Sequence, residues 1–415
     1  MTVKHNIAGA NQNNNAFALV CLTSLFFMWG FITCLNDILI PYLKDAFELN
    51  YTQAMLIQFC FFGAYFLTSL PAGKLVSKIG YQKGIVVGLL IACLGCLLFY
   101  PAASMKLYAL FLLALFVLAT GITLLQVSAN PYVAALGDPS TASSRLTMTQ
   151  AFNSLGTTVA PFFGAWLLFS NLEHGSSDAS EAKVPYLILA FMLLILAVIF
   201  AKLVLPKLHK ATLGKDSDDV VDSDALFAPL QHKHLRLGML GIFVYVGAEV
   251  AIGSFLVNYL QANGAQQLTE AAASSYLAYY WGGAMVGRFI GAWVMQKLSA
   301  SVVLGFNAAM AIVLIALSIT FSGPIAMWLM LAVGLCNSIM FPTIFSLAIH
   351  GLGKQASQAS GLLCLAIVGG AIVPLMQGVL ADTIGLQASF VLPIFCYAYI
   401  VFYGFKGSNP HHSTY

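Results

Sequence analysis

The chain has 415 residues and a formal net charge of +3; 8% of its residues are charged and 60% are hydrophobic. A soluble domain carries about 25% charged residues, and the 18 basic and 15 acidic side chains here cannot cover a 44.4 kDa globule with a water-facing surface. That excludes a soluble enzyme and a disordered chain, and a nucleic-acid binder would need a far denser basic face.

What remains is a polytopic membrane protein, because apolar runs of about 20 residues are long enough to cross a bilayer as helices. In chain order the runs predict spans at 17–43, 52–76, 83–101, 107–136, 143–170, 184–205, 235–262, 271–297, 301–321, 324–350, 356–381 and 386–406. A transmembrane barrel would show short alternating strands, whereas these runs are apolar throughout. The opening MTVKHNIAGANQNNN is polar, and residues 1–15 are expected to be a disordered cytoplasmic leader and not a cleaved signal. Residues 16–205 are expected to form one six-helix bundle and 235–406 a second, joined by a cytoplasmic linker at 206–234 and followed by a cytoplasmic tail at 407–415. The linker holds Lys207, Lys210, Lys215, Asp216, Asp218, Asp219, Asp222 and Asp224. The expected class is an all-α membrane protein with twelve transmembrane helices in two pseudo-symmetric six-helix bundles.

Orientation follows from the basic residues, which concentrate on cytoplasmic loops. With both termini inside, Lys74, Lys78, Lys83, Arg145, Lys202, Arg236, Arg288, Lys297, Lys354 and Lys406 fall at or near the inner rim. Only Lys44, Lys106 and Lys183 fall outside. Cys93 and Cys96 share a helix without a His or further Cys to complete a metal set, so they are expected to be packing residues.

The halves repeat. Pro131 in NPYVAALG and Pro342 in FPTIFSLAIHGLG are 211 positions apart, and Gly156/Pro161 and Gly369/Pro374 are both offset by 213. Asp37 and Glu249 are 212 apart, and GKLVSKIGYQK resembles GRFIGAWVMQK in its glycine and basic pattern. Nearly equal offsets in the same order imply two bundles related by an axis along the membrane normal, with a site near the midplane.

Ionisable groups inside a bilayer are costly and mark function. Two acids qualify, Asp37 and Glu249, and neither has an obvious basic partner at its depth in the sequence. An unpaired carboxylate there must be protonated, bind a cation or face a wet cavity. Around Asp37, Thr33 and Asn36 add oxygen ligands. Neutral polar groups form stripes: Thr123, Gln126 and Asn130 on span 4, and Gln150, Asn153 and Thr157 on span 5. Asn337 lies in span 10, and Tyr279, Tyr280 and Trp281 cluster in span 8. Amides donate and accept hydrogen bonds, and aromatic faces suit the C–H side of a pyranose, so the set fits a neutral polyhydroxylated solute. Gln126, Asn130, Gln150, Asn153, Trp281 and Asn337 are the candidate substrate contacts. Arg145, Arg288 and Lys78 are the candidate inner-rim or gating residues, with snorkelling to headgroups as the simpler role.

The segments LNDILIPYLK, LLQVSANPYVAALG, RLTMTQAFNSLGTTVAPFFG and CNSIMFPTIFSLAIHGLG resemble the major facilitator superfamily, and within it the fucose/glucose/galactose symporter family. The resemblance covers nearly the whole chain. It implies the major facilitator fold and uptake of a monosaccharide coupled to a cation, with Asp37 in coupling and Gln150 and Asn153 on the sugar. Ser77 stands where the superfamily's inner-loop signature has an acid, and Gln126 where fucose-type members carry a glutamate. The first removes the acid of a gating salt bridge at that loop; the second, with an acid appearing instead at Glu249, points towards the glucose/galactose branch. A proton-coupled site needs an acid that is loaded and unloaded, and Glu249 allows one. Sodium needs several hard oxygens, which Asp37, Thr33, Asn36 and Gln126 can supply, so sodium is the preferred cation and Asp37 its ligand. An uncoupled facilitator and an exporter of drugs or metabolites are the rival readings. The expected partners are a monosaccharide, the coupling cation and the lipid bilayer of the bacterial inner membrane. No cofactor, nucleic acid or obligate protein partner is expected.

Overall fold

A computed structural model describes residues 17–33, 51–168, 183–203, 205, 227–263 and 270–408. The helices are α1 (Phe17–Thr33), α2 (Tyr51–Ile79), α3 (Tyr81–Met105), α4 (Tyr108–Ala135), α5 (Ala142–Leu168) and α6 (Lys183–Lys202) in the first half. The second half has α7 (Lys233–Asn263), α8 (Glu270–Val294), α9 (Ala300–Thr320), α10 (Pro324–Asn337), α11 (Met340–Ala348), α12 (Ala356–Leu365), α13 (Gly369–Ile384), α14 (Leu386–Ser389) and α15 (Val391–Phe402). Each predicted span has its helix, and the architecture is the twelve-span all-α one. Among the described residues nine helical stretches are long and apolar enough to cross a membrane.

Spans 10 and 11 are each built from two helices. Span 10 breaks at Ser338–Ile339, between α10 and α11, and span 11 tightens into a 3-10 turn at Ala366–Val368, between α12 and α13. Pro342 explains the first break: it has no N–H, so the carbonyl four residues earlier, that of Ser338, loses its helical partner. Between α2 and α3 the chain turns on one residue, Gly80, at φ 84°, which a residue with a Cβ adopts only with strain.

The chain divides into two compact units that are not the two contiguous halves. Unit 1 is Met1–Asp138, Phe152–Phe227 and Leu352–Leu365; unit 2 is Pro139–Ala151, Ala228–Gly351 and Ala366–Tyr415. In unit 1, α4 packs on α2 and α3, α3 on α6, and α12 on α2 and α4. The Cys93 thiol donates to Ala190 O at 3.2 Å, joining α3 to α6 as a packing group. In unit 2, α10 packs on α8 and α9, α9 on α15, and α13 on α7. The packing of α2 on α4, α3 on α4 and α3 on α6 thus recurs in unit 2 as α8 on α10, α9 on α10 and α9 on α15, as the offsets predicted. The start of α5 belongs to unit 2: Ser143 and Ser346 share a hydrogen bond of 2.6 Å, and Ser144 donates to Ala292 O at 2.5 Å.

The closest crossings use glycine. A Cβ on Gly30 would lie 2.0 Å from Asn153 O, and one on Gly156 would lie 2.2 Å from Phe27 O, so α1 and α5 touch backbone to backbone. A Cβ on Gly369 would lie 2.0 Å from Phe243 O, which repeats the crossing between α7 and α13. Small residues allow this approach in membrane helices, where van der Waals contact drives association.

Candidate functional site

In unit 1 the polar stripe of α4 turns inward. Thr123, Gln126 and Asn130 are all buried. Thr123 returns its hydroxyl to Ala119 O at 2.8 Å. Gln126 donates its amide to the Tyr65 hydroxyl at 2.7 Å, and its own carbonyl lies 3.9 Å from the Cys364 thiol. Asn130 is fully buried, yet among the described residues neither its amide nitrogen nor its oxygen has a hydrogen-bond partner. Such a group costs roughly 1–3 kcal/mol per unmet atom, so an orphaned amide needs an explanation.

On α5, Gln150 is buried and Asn153 partly so. Asn153 donates to Phe26 O at 2.9 Å, beside the Gly30 crossing, so α1 fixes its orientation. On α1 the Thr33 hydroxyl faces its own helix, 3.1 Å from Trp29 O and 2.9 Å from Gly30 O. Its single proton is committed there, and its lone pairs are not. Asp37 and Asn36 lie outside the described residues.

Unit 2 holds a dense polar cluster. Asn337, buried in span 10, donates its amide to Tyr280 Oη at 2.8 Å and accepts from Tyr397 Oη at 2.6 Å. Its backbone carbonyl accepts from the Tyr245 hydroxyl at 3.0 Å. The next carbonyl, Ser338 O, accepts from Arg288 Nε at 3.0 Å, so the acceptor left open by Pro342 is answered by an arginine. Glu249 follows Tyr245 by one turn of α7. Sequence depth places Arg288 towards the inner rim, but its long side chain reaches the break in span 10. Trp281 is half exposed, edge-on to Tyr280 with centroids 5.1 Å apart, and a Cβ on Gly253 would lie 3.4 Å from its ring. Tyr279 instead points outward against Trp328.

Of the rim candidates, Lys78 is exposed, and Arg145 donates from Nη1 to the Thr141 hydroxyl one turn earlier. Sequence reasoning missed Tyr65, Tyr245 and Tyr397. Their signal was available: a phenol in an apolar helix needs a partner for its hydroxyl. What the residues offer chemically is hydrogen bonding to neutral groups and oxygen ligation, with no clustered nucleophile and base among the described residues.

The Major Facilitator Superfamily matches the chain over residues 19–367. The chain belongs to the major facilitator superfamily. It is 59% identical, over 96% of both chains, to a protein of Brucella abortus named glucose/galactose transporter. It is 35% identical to the L-fucose-proton symporter of Escherichia coli, over 92% of this chain and 91% of the other. A crystal structure of the major facilitator superfamily transporter FucP in the outward conformation matches with a TM-score of 0.87 at 32% identity, covering 94% of this chain and 98% of that one. Its relatives in this superfamily are transporters, and the protein is a multi-pass membrane transporter and not an enzyme.

Proposed function

We propose that the protein imports a hexose of the glucose/galactose type by cation symport, through alternating access. The observation that carries this is the 59% identity to a glucose/galactose transporter across 96% of both chains. The side chains support it. Gln126, Asn130, Gln150 and Asn153 bring donors and acceptors for hydroxyl groups, and among the described residues Asn130 keeps both amide atoms unused, as a group reserved for a guest or a bound water would. Trp281 offers a half-exposed ring for the apolar face of a sugar. Asn337 contributes indirectly, since its side chain is already held by two tyrosines.

The coupling cation binds at Asp37, where Thr33 and Asn36 add oxygens, and sodium is the cation we propose. Binding neutralises the carboxylate, which lowers the desolvation cost of closing around the sugar. Gln126, an amide in place of an acid, favours sodium because it cannot take up a proton. The similarity to an L-fucose-proton symporter favours a second reading, in which Asp37 is loaded by a proton. The two separate in proteoliposomes. Uptake of labelled galactose driven by an inward sodium gradient at equal pH is expected, and full-rate uptake on a proton gradient without sodium would replace sodium by the proton. The same reading makes this a protein of the bacterial inner membrane with both termini cytoplasmic, supported by the inner bias of its Lys and Arg residues.

A further inference from the structure

Three helices of unit 1 meet in register. A Cβ on Gly361 of α12 would lie 2.6 Å from Ser69 O of α2, and one on Gly73 of α2 would lie 3.1 Å from Ser357 O of α12. Contact passes from 69 to 73 on α2 as it passes from 361 to 357 on α12, so the two helices run antiparallel. Spans 2 and 4 cross in the same sense, so α4 is antiparallel to α12 as well. In one layer Gln126 of α4 meets Tyr65 of α2 and Cys364 of α12. One turn along each helix from that layer stand Ser69, Asn130 and Ser360, brought to a common level on the same three faces.

All three side chains are fully buried. Ser69 donates its hydroxyl proton to Tyr65 O and keeps its lone pairs. Among the described residues, Asn130 Nδ2, Asn130 Oδ1 and Ser360 Oγ have no hydrogen-bond partner. The polar group beside Ser360 is the Cys364 thiol, a weak donor and weak acceptor. Two packed helices therefore bring unmet polar atoms to one level, and buried polar atoms of this kind are met by ordered water or a ligand. The chemistry of the set names the guest. It offers N–H and O–H donors beside amide and hydroxyl acceptors, and none is charged. An anion would leave the acceptors unmet, and a hard cation, held by oxygens, would leave the amide N–H unmet. An O–H group donates and accepts, so it uses both.

We propose that Asn130 and Ser360, with Ser69, form a binding site for a neutral hydroxyl group, one turn along from Gln126, whose guest joins α4 to α12. Without sugar the guest is a water molecule. With sugar, either that water stays or a sugar hydroxyl takes its place. The water site stands by itself; the exchange for a sugar hydroxyl rests on the sugar-transport reading.

The test is a double-mutant cycle on the full-length protein: Asn130→Leu, Ser360→Ala and the two together. Leucine keeps the branching of asparagine, and alanine removes only the hydroxyl. Loss of a buried polar atom that holds nothing relieves a desolvation cost and raises the unfolding temperature; loss of one that holds a guest lowers it. Without sugar, each single variant is expected to unfold below wild type. The double variant is expected to unfold no lower than the worse single, since both changes remove the same guest. Singles at or above wild type, or losses that add in the double, overturn the proposal. Where Asn130→Leu does not accumulate as folded protein, Ser360→Ala alone keeps the sign of the test. A wild-type crystal structure that resolves buried waters is expected to show an oxygen within about 3.2 Å of both side chains, and its absence there would overturn the site. Galactose separates the two sources. A sugar hydroxyl predicts that each single loses about tenfold in galactose affinity and the double no more. A retained water predicts affinity within about threefold of wild type, with the sugar-free unfolding temperature still lowered. Wild-type protein that neither binds nor exchanges glucose or galactose would remove the sugar reading and leave the sugar-free cycle to judge the site.

Discussion

Gln126 and Asn337 stand 211 positions apart, the interval that also separates Pro131 from Pro342, and each donates its amide to a tyrosine on the second span of its own half. The distances are 2.7 Å to Tyr65 and 2.8 Å to Tyr280. The two amides differ in their other end. Tyr397 closes on the Asn337 carbonyl at 2.6 Å, whereas the Gln126 carbonyl meets a thiol at 3.9 Å. A repeated contact has become a locked hub in the second half and keeps acceptor capacity in the first.

That asymmetry separates two substitutions. Asn337→Ala leaves the buried hydroxyls of Tyr280 and Tyr397 without their amide partner and is expected to cost about 2–4 kcal/mol of stability. Gln126→Ala removes one bond and is expected to cost about 1 kcal/mol while weakening galactose binding. Thermal unfolding in detergent, paired with a galactose binding isotherm, separates the two. Equal losses of stability would contradict the difference between hub and open end.

The glycine crossings set a second expectation. Gly30→Val, Gly156→Val and Gly369→Val each force a side chain onto a backbone carbonyl, with the first added carbon at 2.0–2.2 Å. Each is expected to abolish folded yield, since neighbouring backbone cannot yield by the required ångström or more. Gly282→Ala, with open space around its added carbon, is the matched control and is expected to express normally. Size-exclusion profiles of the solubilised proteins report the outcome.

Asp37→Asn is expected to eliminate concentrative uptake and retain counterflow, because exchange of one sugar for another needs no net cation movement. Labelled galactose that still accumulates against its gradient in this variant would remove Asp37 from coupling.

Gln150→Ala and Asn153→Ala are each expected to raise the half-saturating sugar concentration about tenfold, equivalent to about 1.4 kcal/mol, one well-made hydrogen bond. Asn153→Ala is further expected to lower the unfolding temperature, since its bond to Phe26 O also ties α1 to α5. Unchanged affinity in both variants would take the span 5 stripe off the sugar.

The spans were legible because a bilayer imposes a length and an apolar composition that any reader of the chain can count. The repeat was legible because Pro and Gly leave fixed marks at equal offsets. Side-chain partnership was less so. Arg288 looked like a rim residue because depth along a helix says nothing about how far its side chain can reach, here to Ser338 O. Asn337 and Gln150 were picked out for polarity in apolar surroundings, a signal that does not separate a group that holds other helices from one that holds a ligand. The tyrosines were passed over because their rings count as apolar, and only their hydroxyls reveal what they do.

The break at Pro342 bears on how this protein can be made more robust. Replacing a helix-interior proline is a familiar stabilising change, because it restores an N–H to the carbonyl one turn back. Here that carbonyl, Ser338 O, is already taken by Arg288 Nε at 3.0 Å. A residue with an N–H at position 342 would compete for the same acceptor and displace a part-buried cation from its seat. Thermostabilisation screens that mend irregular helices will therefore find position 342 resistant, and the straighter helix will be the less stable one.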